Sequence, residues 1–256
     1  MPVPRVRLDS LLAERGLYES RTRAAAAVIA GDVHIGSGRR RAEKPGQLVD
    51  PEVELQVKGP PPFVSRGGVK LANALDTLGL DPKGRSGLDV GASTGGFTDC
   101  LLQRGATRVI ALDVAYGELD WRIREDERVT VIERTNARSI TPGDLPYAPD
   151  LVVIDVSFIS LTKVLPAVLG TTAPTFDCLA MVKPQFEVGK ERLGKGGVVR
   201  DLELRREAVR TVAASVDVAV MGSAPSALAG PSGNKETFLW LAEPGRAGAV
   251  EEVDAW

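Results

Sequence analysis

The chain has 256 residues, 43% hydrophobic and 26% charged, with 32 Lys and Arg against 34 Asp and Glu for a net charge of −2. That size and balance suit a globular protein with one large domain, or a small one beside a larger one, and the global charge alone indicates no nucleic-acid partner. A single histidine, two well-separated cysteines and the lack of ~18 uninterrupted apolar residues argue against a histidine metal centre, a disulfide framework and a membrane helix.

No metal and no membrane association are therefore expected, and Cys100 and Cys178, each in an apolar stretch, read as buried structural thiols. The start Met-Pro-Val-Pro-Arg has no apolar signal-peptide core, so a cytoplasmic location is expected. The charge is unevenly spread, however. Residues 1–70 hold 12 basic and 8 acidic side chains, which leaves the rest acidic. A basic front joined to an acidic body is the asymmetry of a nucleic-acid-binding module.

In chain order, Leu8, Leu11 and Leu12 have helical spacing and Gly16 can end that helix. Ser20 can cap a second helix, with Ala24, Ala27 and Val28 inward and Gly31 closing it. Residues 32–35 alternate like a strand with His34 exposed on it, a Gly-Ser-Gly turn follows, and Val53, Leu55 and Val57 alternate again. Arg5, Arg7, Arg21, Arg23, Arg39, Arg40 and Arg41 lie on or beside these elements; alone they could be a solvated face. The ordered pattern Arg-Leu-Asp-x-x-Leu, Gly-Leu-x-x-Ser-Arg, Ile-x-x-Gly-Asp-Val-x-Ile-x-Gly resembles the S-four-type RNA-binding domain. That resemblance implies a domain over residues 5–58 whose arginines meet the backbone and shape of folded RNA. A stiff proline connector is expected over 59–64.

Beyond it, strands over 86–90, 107–112, 129–133, 150–154 and 178–182 alternate with helices near 67–79, 95–104, 117–124, 160–169 and 201–214. Such alternation means a parallel sheet covered on both faces, with ligands at the carboxyl ends of its strands. The expected fold class is α/β: a small N-terminal α+β domain, then a Rossmann-like, doubly wound domain over 65–245 and a tail over 246–256. A strand ending at Val90 runs into the loop Gly91, Ala92, Ser93, Thr94, Gly95, Gly96 and Phe97, and Asp113 ends the next strand. The loop misses the dinucleotide spacing, and with an acid placed for ribose hydroxyls it points to S-adenosylmethionine. Asn136 is a candidate near the adenine, and equally a turn residue.

Asp155 ends the fourth strand, facing the cofactor, and Lys183 the next. No Pro-Pro-aromatic follows Asp155 and no cysteine lies at this edge, so methylation of a base nitrogen or of a cytosine carbon is disfavoured. A structural Asp155–Lys183 ion pair is the alternative reading.

Four segments then carry a second resemblance: Ser65-Arg66-Gly67-Gly68-Val69-Lys70, Asp155, Lys183-Pro184-Gln185-Phe186-Glu187, and Gly230-Pro231-Ser232-Gly233-Asn234-Lys235-Glu236. They resemble the FtsJ-like ribose methyltransferases and their Lys–Asp–Lys–Glu tetrad, which falls here on Lys70, Asp155, Lys183 and Glu236. With the basic front included, the chain resembles the TlyA family, whose members act as rRNA 2′-O-methyltransferases and are often labelled hemolysins. The resemblance implies methyl transfer from S-adenosylmethionine to a cytidine 2′-hydroxyl of large-subunit rRNA, with the small subunit a further candidate target and rRNA in ribosomal subunits the partner. A lysine is a poor base while protonated, so partial burial or a neighbouring ammonium is needed. Lys183 is expected to be the base aligned by Asp155 and Glu236, with Lys70 and Arg66 positioning RNA. The stretch 189–197, with Lys190, Arg192 and Lys195, reads as a lid over phosphates.

Two features depart from the family. Pro61-Pro62-Phe63-Val64 stands where members have Arg-x-Trp-Val, and the stretch after Leu241 is short, which leaves substrate breadth open. The alternatives from other classes are a membrane-active hemolysin and a catalytically silent RNA-binding protein.

Overall fold

The computed structural model describes all residues except 1–4, 19, 38–39, 58, 60–61 and 231, so Arg39, Pro60, Pro61 and Pro231 lie outside the described residues. The chain divides into two units, one up to Pro62 and one from Phe63. The first holds β1 (Val6–Arg7), α1 (Leu8–Glu14), α2 (Arg21–Ala30), β2 (Val33–Ile35), β3 (Arg40–Arg41), β4 (Leu48–Val49) and β5 (Leu55–Val57). Leu8, Leu11, Leu12, Ala24, Val28, Val33 and Ile35 form its core, because the helical and strand periods put them on facing sides. Ser20 Oγ accepts from the Arg23 amide at 3.2 Å, and Gly31 closes α2 in the left-handed region. β2 lies between β3 and β5, all antiparallel, with His34 half-buried rather than exposed because Arg41 and Gln56 flank it.

The second unit holds α3 (Arg66–Leu78), β6 (Ser86–Val90), α4 (Gly96–Gln103), β7 (Arg108–Leu112), α5 (Trp121–Arg124), β8 (Val129–Ile132), β9 (Leu151–Ile154), α6 (Leu165–Leu169), β10 (Asp177–Val182), α7 (Pro184–Glu187), α8 (Leu202–Ala213), β11 (Ala219–Pro225) and β12 (Thr237–Ala242). The sheet order is β11-β12-β10-β9-β6-β7-β8. β12 runs antiparallel to both neighbours and every other pairing is parallel, so the sheet is mixed rather than wholly parallel. The strands are apolar throughout because both faces are covered. In β9, Val152 and Ile154 join the core under α6 and α8, while Leu151 and Val153 join the one under α3 and α4. Burial also claims both thiols, pushing Cys100 up to about 12 and Cys178 upward too.

The structure moves four expected boundaries. The connector ends at Pro62: Phe63 lies across Gly68, where a Cβ would come within 2.3 Å of it, and the Val64 amide donates to Asp99 at 2.8 Å. The helix expected over 117–124 is only α5, since Gly117 has φ +77° and Asp120 caps the start. The helix expected over 160–169 splits into a 3₁₀ turn at Leu161–Lys163 and α6, because Pro166 offers no N–H to bond back. Residues 246–256 are not a free tail. The Val250 amide donates to the Val220 carbonyl at 2.8 Å, Arg206 grips Asp254 at 2.6 Å, and Ala255 is buried in the core. Among the described residues, no helix is long and apolar enough to cross a membrane.

Candidate active site

The chain runs from β6 through β7 to β8 on one side of β6 and returns through β9 on the other, which makes the β6–β9 gap the switch point of the sheet. Gly91 leaves β6 with φ +85°, and a Cβ there would stand 2.5 Å from the Asp155 carbonyl. Only glycine lets the two strand ends approach so closely. Asp113, at the end of β7, accepts from the Ser93 amide at 2.7 Å and from the Ala115 amide at 2.8 Å. It therefore pins the loop and keeps lone pairs for a further donor.

Beneath the loop, fully buried Asp89 accepts from the Thr98 amide at 2.9 Å and its hydroxyl at 2.7 Å. Gly95 gives α4 no side-chain cap, so Asp89 supplies one from inside the sheet. Burial pushes its carboxyl up to about 7.

Two adjoining clefts open here. One, of about 860 Å³, is bordered by Gly91, Ser93, Asp113, Asn136 and Asp155. The other, of about 490 Å³, is lined by Arg66, Lys70, Asp155, Lys183 and Glu236, which brings all four tetrad positions together. They form two ion pairs. Lys70 bonds to Glu236 with both side chains almost wholly buried. Lys183 Nζ lies 2.5 Å from Asp155 Oδ1 in a more open setting. Glu236 thus pairs with Lys70 instead of aligning Lys183 as expected, because it precedes β12 and faces α3. Gly230 leaves it room: a Cβ there would stand 2.7 Å from its Oε1.

Other expected residues are placed as follows. Ala92, Thr94, Gly96 and Phe97 line the smaller cleft, although Phe97 is buried and packs on Phe238. Gly95 faces Leu119 and borders neither cleft. Asn136 borders the larger cleft while accepting from the Arg138 amide at 3.1 Å. The stretch 189–197 folds into two 3₁₀ turns, and Arg192 grips Glu207.

In the first unit, Arg7 lies 2.7 Å and Arg21 3.6 Å from buried Asp9, and Arg7 beside it holds that carboxyl down at about 2. Arg5, Arg23 and Arg40 are exposed, and Arg41, also exposed, lies across Gly31. Sequence reasoning assigned no role to several neighbours of the site. Asn234 bonds to the Val199 amide at 2.9 Å and the Gly197 carbonyl at 3.0 Å, latching the glycine-rich stretch to the Glu236 loop. Phe158, 91% exposed with φ +63°, stands at the lip against Phe186 with ring centroids 5.3 Å apart. A positive φ is uncommon in a phenylalanine, and it exists only in the structure.

The seven-stranded sheet with one reversed strand, opening its glycine loop beside a Lys–Asp–Lys–Glu quartet, defines a Rossmann-like methyltransferase. The chain belongs to the FtsJ-like methyltransferase family, whose sequence profile matches residues 63–243. It is 48% identical to the 16S/23S rRNA (cytidine-2′-O)-methyltransferase TlyA of Mycobacterium tuberculosis, over 93% of this chain and 90% of that protein. It is 38% identical to Hemolysin A of Brachyspira hyodysenteriae, over 79% of this chain and 84% of the other. A solved Streptococcus thermophilus structure, provisionally named a hemolysin, superposes with a TM-score of 0.72 at 39% identity, covering 95% of this chain and 90% of that one.

Proposed function

We propose that this protein transfers a methyl group from S-adenosylmethionine to a cytidine 2′-hydroxyl of ribosomal RNA, acting on ribosomal subunits. The observation that carries the reading is the convergence of Lys70, Asp155, Lys183 and Glu236 on one cleft beside the glycine loop. The 48% identity to an rRNA (cytidine-2′-O)-methyltransferase supports it.

The residues present fit the cofactor. Asp113 offers acceptors for a ribose, glycine at 91 admits close approach, and Asp155 would supply a negative charge suited to a sulfonium. Bound there, S-adenosylmethionine supplies an electrophilic methyl group. The chain has then to align the hydroxyl and take its proton. Lys183 Nζ, held by Asp155, is the base, and it accepts the proton as the free amine. Lys70, locked to Glu236, is a fixed cation beside the nucleotide, and Arg66 offers a second at the mouth. Phe158 gives an unpaired base a face to stack on, as RNA recognition outside helices requires. In the first unit, Arg5, Arg7, Arg21, Arg23, Arg40 and Arg41 are the phosphate contacts.

Single-turnover transfer to ribosomal subunits from cells lacking this protein tests the reading. Lys183→Ala and Lys183→Arg should each lose ~10²–10⁴-fold in rate, since a guanidinium cannot accept the proton. An active, stable Lys183→Arg protein would overturn it.

A further inference from the structure

Among the described residues outside the quartet, one side chain is hydrogen-bonded to Lys183. The Ser157 hydroxyl accepts from Lys183 Nζ at 2.7 Å, on the same nitrogen that lies 2.5 Å from Asp155 Oδ1. Ser157 also borders both clefts, so it stands on the wall between them. An ammonium has three N–H bonds and a free amine has two, with one lone pair. Ser157 takes one N–H of Lys183 Nζ in a hydrogen bond, while Asp155 Oδ1 stands at ion-pair distance without one. The directions that Ser157 leaves open serve a proton that leaves or arrives.

We propose that Ser157 is a positioning residue for Lys183: by holding one N–H of the free amine beside the Asp155 charge, it aims the lone pair into the cleft at the ribose hydroxyl. The inference rests on Lys183 being the base. In the step it serves, the hydroxyl O–H bond breaks, its electron pair stays on oxygen, and an N–H bond forms at Lys183 Nζ. With the Asp155 charge alone, no hydrogen bond stops the amine turning about its Cε–Nζ bond, and the lone pair is shared among three orientations. Rotation by itself then costs at most ~3-fold, whereas a drift of ~1 Å costs ~10²-fold. A loss of ~10-fold falls between these limits.

The test compares full-length wild type, Ser157→Ala, Ser157→Thr, Lys183→Ala and the Ser157→Ala/Lys183→Ala double variant. Each is assayed in excess over ribosomal subunits from cells lacking this protein, with a tritiated methyl donor. Cofactor affinity is measured by calorimetry, RNA affinity by filter binding, and melting by fluorescence. Ser157→Ala should lose ~10-fold in single-turnover rate with both affinities and the melting temperature unchanged, and Ser157→Thr, which keeps the hydroxyl, should recover most of it. In the Lys183→Ala background the Ser157→Ala loss should vanish, since nothing is left to aim.

Full activity in Ser157→Ala would overturn the inference. So would a loss of equal size in both backgrounds, or one explained by weaker RNA or cofactor binding, which would make Ser157 a ligand contact. An active Lys183→Ala protein would instead bring down the general-base reading itself, whatever Ser157 does.

Discussion

Lys70 and Glu236 form an ion pair whose side chains are 8% and 2% exposed, so each has given up nearly all its water. Lys70→Met keeps the length and removes the charge, leaving the carboxylate desolvated and alone. Breaking such a pair from one side costs about 3–5 kcal/mol. For a unit the size of residues 63–256, each kcal/mol moves the melting point by about 2–4 °C, so a fall of roughly 6–20 °C is expected. Adding Glu236→Met removes the orphaned charge, and the double variant should recover most of the stability, because replacing both members by apolar groups is often neutral. Methyl transfer should stay lost in both variants.

The assay is thermal melting followed by tryptophan fluorescence. Trp121, Trp240 and Trp256 all lie in the second unit, so the signal reports that unit alone. A Lys70→Met protein melting within about 2 °C of wild type, or a double variant worse than either single one, would refute the reasoning.

Asp113→Asn keeps the shape but gives up charged acceptors worth about 1.5–3 kcal/mol, so calorimetry should show S-adenosylmethionine binding weakened by about 10- to 150-fold; unchanged affinity would remove Asp113 from the cofactor site. Asp89, raised to about 7 by burial, holds a proton in the folded chain that the unfolded chain releases above its ordinary value of ~4. Stability should therefore fall as pH rises through that window, and Asp89→Asn should flatten the slope of melting temperature between about pH 4 and 7, leaving the part due to Glu187, also raised by burial. An identical slope in both proteins contradicts this. Among the described residues Arg23 and Arg40 have no carboxylate partner, so reversing both to Glu should weaken rRNA binding and lower its salt slope by about 0.7–0.9 per lost contact without changing cofactor affinity. A full salt slope would make them a solvated face.

The strands that place the site were legible because each is a short apolar run ending in a residue that does not belong in one: Asp113, Asp155 and Lys183 stand out against Leu112, Ile154 and Val182. Pairing was not legible. Lys70 and Glu236 are 166 positions apart, and no local pattern says which lysine takes which acid. β11 was missed because Gly222 breaks it with a bulge and Pro225 ends it, so no alternation survives. β1, β3 and β4, at two residues each, are too short to show a period. Ser157 and Asn234 escaped for a different reason. A serine after a strand and an asparagine among glycines are ordinary loop residues, and their partners come from distant segments.

The 246–256 segment has a consequence for how the protein behaves among copies of itself. β11 is an outermost strand of the sheet, and an uncovered border of that kind offers its backbone groups to any passing chain. Here Val250 takes the Val220 carbonyl, Ser223 is bonded to the Asp254 carbonyl, and Arg206 fastens Asp254 from α8. The opposite border, β8, is only four residues long. The segment thus works as a selvedge, a finished border sewn along part of the β11 edge.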